Sequence, residues 1–226
     1  MLRGLAFDIA HTLSTSVLLL SFALLYQRRL PAVLNAYAMQ GLCVAGAAAW
    51  QGFVQHAPDL YWTAGIAALK AVVVPLALHR IIVRLGIHRT IETVLSVNLT
   101  LLAGVGLVAL SILLVLPVVP PSGAMTRENL ALALSVILCG LLMMITRRNA
   151  VTQVIGFLGL ENGLVLAAIG VRGMPLVVEI SVAFSVVVAC IVFGMFFFRI
   201  RERFDTLDLQ YLESFRGDTQ HGGENR

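Results

Sequence analysis

The sequence predicts an all-α protein that crosses a membrane about seven times, with its N-terminus outside and its C-terminal tail in the cytoplasm. Three observations predict this. Charge is scarce, apolar runs of membrane-spanning length follow one another, and basic residues alternate from one connection to the next. Of 226 residues, 59% are hydrophobic and 12% charged, where a soluble domain carries about a quarter charged residues. Mean hydropathy is +0.91. So little charge cannot cover a water-facing surface, and the solvent must be mostly lipid.

A helix needs about 20 apolar residues to cross the hydrocarbon. Seven runs fit: 7–26, 31–54, 60–83, 93–117, 127–146, 151–171 and 175–198. They must be helical, because a closed barrel needs short alternating strands and this sequence has none. Pro31, Pro120, Pro121 and Pro175 sit at run ends, where proline punctuates a helix without breaking it. The first run lacks a basic leader and a small-residue cleavage site before Gln27-Arg28-Arg29, so it reads as a retained helix.

Orientation follows from the basic residues. Arg28, Arg29, Arg80, Arg84, Arg89, Arg147, Arg148 and five arginines of the tail fall on one side. Arg3, Arg127 and Arg172 fall on the other. The rich side is read as cytoplasmic. This arrangement accounts for the pI near 9.3 without a nucleic-acid partner. Cys43, Cys139 and Cys190 lie apart in apolar runs, which suits packing and gives no metal-ligand spacing.

A faint repeat near 119 residues relates Gln27-Arg28-Arg29 with Gln40-Gly41-Leu42 to Thr146-Arg147-Arg148 with Glu161-Asn162-Gly163-Leu164. Chance similarity between apolar helices is its rival. As a repeat, it divides the chain into a three-helix unit 1–92, a linking helix 93–126, a second three-helix unit 127–203 and a tail 204–226.

The ionisable residues inside the runs carry the functional signal, since a charge at the bilayer centre costs about 2.5–3.5 kcal/mol on insertion scales. Glu161 lies mid-run among Gly159, Asn162 and Gly163, small and polar neighbours that leave room for water. It reads as a proton carrier or as a structural carboxyl bonded to a neighbouring helix. Lys70 lies near the middle of the third run. Pro75, five residues on, frees the Ala71 carbonyl and favours a hinge. Lys70 reads as a second proton-exchanging group or as half of an ion pair. Glu179 lies near the outer end of the seventh run. His79 and His11 mark run ends, and Gln40, Asn98, Gln153 and Asn162 can hydrogen-bond between helices. Glu161, Lys70 and Glu179 are thus the expected proton pathway, with Pro75, Asn162, Gln40 and His79 supporting it.

No phosphate-binding loop, dinucleotide fingerprint, haem-ligand pair or zinc motif is present. No bound cofactor or metal is expected. With no soluble domain to hold a catalytic site, the chain reads as a subunit.

Three stretches carry a family resemblance. They are Gly156-Phe157-Leu158-Gly159-Leu160-Glu161-Asn162-Gly163-Leu164, then Gly173-Met174-Pro175-Leu176-Val177-Val178-Glu179, and then Phe196-Phe197-Phe198-Arg199-Ile200-Arg201-Glu202-Arg203-Phe204-Asp205-Thr206-Leu207-Asp208. With Leu69-Lys70 and Val73-Val74-Pro75, they closely resemble component E of hydrogenase-4-type complexes. The last three helices also resemble subunit K of the respiratory NADH–quinone oxidoreductase and its small counterpart in multisubunit sodium/proton antiporters.

The resemblance implies a bacterial inner-membrane subunit without its own redox centre, placed beside antiporter-like proteins. Glu161 would lie in a line of charged residues that couples redox chemistry to proton movement. Subunit K carries a second glutamate mid-way along its last helix, where this sequence has Ser185, Val186 and Val187. Glu179 lies about two turns away, and either it or Lys70 takes that place, Lys70 if the two halves of the chain pack together. The rival functions are a subunit of a cation/proton antiporter and a structural membrane spacer.

Overall fold

A computed structural model describes residues 2–84, 93–118 and 124–170. These lie in the first of two compact units, 1–184; the second, 185–226, lies outside the described residues. Six helices follow in order: α1 Leu2–Tyr26, α2 Leu30–Gln55, α3 Pro58–Arg84, α4 Val97–Val118, α5 Ala124–Thr146 and α6 Ala150–Gly170. Each contains an apolar stretch long enough to cross a membrane. The seventh run and Glu179 lie outside the described residues.

Local chemistry sets the helix ends. Pro31 occupies the first turn of α2, where its missing N–H costs nothing. His56 ends α2 in the left-handed region, φ 54° and ψ 35°; the next amide, Ala57 N–H, donates back to the Gly52 carbonyl. Asn149 caps α6, its Oδ1 accepting from Val151 N–H at 2.9 Å. The fourth run begins later than its apolar residues imply. Ser96 caps α4 through Leu99 N–H, and Val94 N–H donates to the Thr146 carbonyl at 2.9 Å. Thr93 thereby pairs with Arg147 in a single antiparallel bridge.

Burial is inverted relative to a soluble bundle. α4 buries Val97, Thr100, Gly104, Ser111 and Val115 along one face. It exposes Leu99, Leu102, Val105, Leu110, Leu113 and Leu114 on the other. Lipid satisfies exposed leucine, while the small and hydroxyl residues allow helices to approach.

α5 packs most extensively on α6, and α2 on α3; α2 also meets α6, and α1 meets α2, α4 and α5. The α5–α6 crossing is backbone against backbone. A Cβ at Gly140 would lie 2.6 Å from Leu160 N and 2.8 Å from the Gly156 carbonyl oxygen. Gly140→Ala therefore has to push α5 off α6, an overpacking that costs about 1–3 kcal/mol. The expected outcome is a lower melting temperature in lipid nanodiscs. An unchanged melting temperature would mean that the crossing is looser than this.

The arginine-bearing connections share one end of the bundle. Arg147, after α5, reaches the last carbonyls of α1. At the opposite end Gln55 Nε2 lies 3.4 Å from the Ile169 carbonyl, and His11 approaches Glu128 to 3.8 Å.

Candidate functional site

The site lies where α2, α3 and α6 meet. Gly41 in α2 lets α3 approach closely: a Cβ there would lie 2.7 Å from the Ala71 Cβ. That contact holds the residue next to Lys70 and sets the height at which Lys70 leaves α3. α6 brings Glu161 to the same height. Lys70 Nζ donates to Glu161 Oε1 at 2.5 Å. The Glu161 side chain is fully buried and that of Lys70 is 17% exposed. Two intramembrane charges from opposite halves of the chain thus neutralise one another, the arrangement that makes each tolerable in lipid.

A buried polar chain continues from Asn162, the next residue. Asn162 Nδ2 donates to Gln40 Oε1 at 3.2 Å. Gln40 Nε2 donates to Ser21 Oγ at 2.8 Å, and Ser21 Oγ donates to the Val17 carbonyl at 3.0 Å. Gly159 lies beside this chain, and a Cβ there would stand in ordinary contact, 3.6 Å, with Gln40 Oε1. Three helices, α6, α2 and α1, are therefore tied by neutral hydrogen bonds beside the Lys70–Glu161 pair.

The sequence expectations meet the structure unevenly. Lys70, Glu161, Gln40 and Asn162 form one site. Pro75 lies inside α3, which continues past it to Arg84. His79 is exposed and nine residues beyond Lys70, about 14 Å along the helix axis, so it does not join the site.

Two residues were not singled out from the sequence. Tyr37 is fully buried one turn before Gln40, and its hydroxyl has no hydrogen-bond partner among the described residues. It lies within electrostatic reach of Glu161. A lone tyrosine in an apolar run gives no pattern to detect. Arg147 was read only as a marker of topology, yet it is 2% exposed. Its Nη2 donates to the carbonyls of Leu24, Leu25 and Gln27 at 3.1, 2.7 and 2.8 Å. A buried cation thus caps the C-terminus of α1, where the helix dipole is negative. Burial first, and then neighbouring Arg28, pull its pKa below the usual arginine value, while a guanidinium stays charged at any physiological pH.

Arg147→Met should release these carbonyls, at about 1–3 kcal/mol for each left unsatisfied. Hydrogen exchange should then accelerate through the last turn of α1, Ala23 to Gln27, whose final bond is Gln27 N–H to the Ala23 carbonyl; unchanged protection there would show that Arg147 is not the cap.

Hydrogenase-4 component E of Escherichia coli is 30% identical over 160 residues, which cover 70% of this chain and 74% of that protein. The chain belongs to the hydrogenase-4 component E family. The component E of Shigella flexneri matches to the same extent. An uncharacterised protein of Mycobacterium tuberculosis is 31% identical over 204 residues, 88% of this chain and 92% of its own length. No family model matches the chain, and no solved structure matches it. In this component E homologue, no group of three or more His, Cys, Asp or Glu side chains gathers as a metal site among the described residues.

Proposed function

We propose that this chain is a non-catalytic membrane subunit of a hydrogenase-type complex, and that Glu161 with Lys70 carries protons moved in step with redox chemistry elsewhere in that complex. The observation that carries the reading is the Lys70–Glu161 pair. A proton delivered to the Glu161 carboxylate breaks the ion pair and leaves a neutral acid beside an ammonium. Its departure restores the pair. In the protonated state the Lys70 ammonium loses its counter-charge but keeps a hydrogen bond to the neutral acid and its own partial exposure, 17%, so the cost of that state falls on Lys70 and favours release of the proton.

Antiporter-like membrane subunits are the proposed neighbours, the bacterial inner membrane the proposed location, and the arginine-bearing end the cytoplasmic one. Glu179 is the proposed group near the opposite exit.

One observation favours a second reading. Apart from the Lys70–Glu161 contact, α3 packs mainly on α2, so the pair also serves as a strut between α3 and α6. A purely structural spacer would need only that strut.

Membership of the complex is tested by tagging the chain, solubilising its native membrane gently and identifying the proteins that co-purify. A nickel–iron hydrogenase large subunit together with antiporter-like proteins is the expected set. Antiporter-type subunits alone would overturn the redox-coupled reading in favour of a cation/proton antiporter.

A further inference from the structure

A cavity of about 10 Å³ lies between α1, α2, α5 and α6, walled by Ser21, Leu24, Gln40, Cys139, Met143 and Gly156 among others. That is about the space one water centre needs. The Ser21 hydroxyl and the Gln40 amide supply polar groups in its wall. Helix rise places the wall in depth. Leu24 is two residues from the end of α1 and Met143 three from the end of α5, about 3–5 Å below the arginine-bearing end. Gln40 is ten residues into α2 and Glu161 eleven into α6, about 15–17 Å below it. The cavity therefore lies between that end and the level of Glu161.

Buried polar atoms without partners flank the same interval. Arg147 Nε and Nη1 are sealed from solvent with no acceptor among the described residues. The Arg147 guanidinium donates to the carbonyl of Leu24, which is one of the residues of the cavity wall. The Tyr37 hydroxyl has no partner either, and it shares a face of α2 with Gln40, three residues on. A buried polar atom left unpaired costs about 1–3 kcal/mol, and ordered water is the usual remedy. Three such atoms and a water-sized cavity thus occupy the interval between the arginine-bearing end and a buried carboxyl, Tyr37 about 10 Å below that end.

We infer that ordered water links Arg147, the cavity beside Ser21 and Gln40, and Tyr37, and that Glu161 exchanges protons with the arginine-bearing face through it. The inference rests on the proposed role of Glu161 and adds its path. Each water takes a proton from one neighbour and passes another on. The Tyr37 hydroxyl gives its proton, through an intervening water, to the Glu161 carboxylate and regains one from the water behind it, so no charge remains on the phenol. Gln40 and Ser21 are positioning residues that hold the water and do not themselves carry the proton. Arg147, fixed by the α1 carbonyls, orients water at the mouth.

Radiolytic hydroxyl-radical labelling of the full chain in lipid nanodiscs tests the route without relying on proton transport. Radicals form from water held against the protein, and the cavity wall carries two reactive sulfur side chains, Cys139 and Met143, that are 1% and 2% exposed. The expected result is oxidation of both, reduced several-fold in Ser21→Val, which removes a hydroxyl from the wall and adds bulk. Protection of both residues in the unaltered chain would overturn the route while leaving Glu161 to be judged by its own variants. In the assembled complex, Tyr37→Phe is expected to slow proton uptake several-fold at unchanged subunit yield. An unchanged rate would remove Tyr37 from the path.

Discussion

Glu161→Gln is expected to leave the chain in the membrane and in its complex while reducing proton movement coupled to turnover to the level of passive leak. Glutamine keeps the shape and can still meet Lys70 through its side-chain oxygen, so the strut between α3 and α6 survives. It cannot take up and release a proton. The spacer reading expects assembly and proton movement both intact. The measurement is acidification of inverted membrane vesicles during turnover, set against the amount of assembled complex. Full coupled transport at normal assembly would remove Glu161 from the pathway.

Lys70→Met should have the largest effect on stability. It strips the cation from a carboxylate with no exposed surface, and breaking one side of a buried pair costs about 3–5 kcal/mol. The double variant Lys70→Met/Glu161→Gln removes both charges and should recover most of that loss, because two neutral side chains no longer need one another. Melting in lipid nanodiscs measures this directly. Equal destabilisation in the single and double variants would mean that the pair contributes no coupling. Coupled transport should be lost in both, so stability and function separate in the double variant.

Much of this architecture was legible beforehand because lipid penalises charge so heavily. An apolar run of twenty residues leaves few alternatives to a helix, and six of the expected runs are helices here. The same penalty singled out Lys70 and Glu161: a charge inside such a run needs a partner, and each turned out to be the other's. Gln40 and Asn162 were found for the related reason that amides in lipid seek one another. Their mutual bond joins regions aligned by the faint repeat, though that alignment placed Gln40 opposite Glu161 and not Asn162.

Other features had no such signal. Helix packing buried Tyr37 within electrostatic reach of Glu161, which no periodicity in Tyr37-Ala38-Met39-Gln40 indicates. Arg147 looked like one arginine among many at a run end, and only the fold shows that it is buried under α1. His79 shows the converse, a polar residue at a run end that stays exposed. The start of α4 was displaced because Thr93 and Val94 pair with the α5–α6 connection, a long-range bond that local sequence does not encode.

The central claim is that Glu161 changes protonation as the complex works, and infrared difference spectroscopy of the assembled complex measures this most directly. The account expects a protonated-carboxyl C=O band that changes during turnover, shifts in deuterium oxide and is absent from Glu161→Gln. Coupled proton movement with no Glu161-dependent carboxyl band would contradict it.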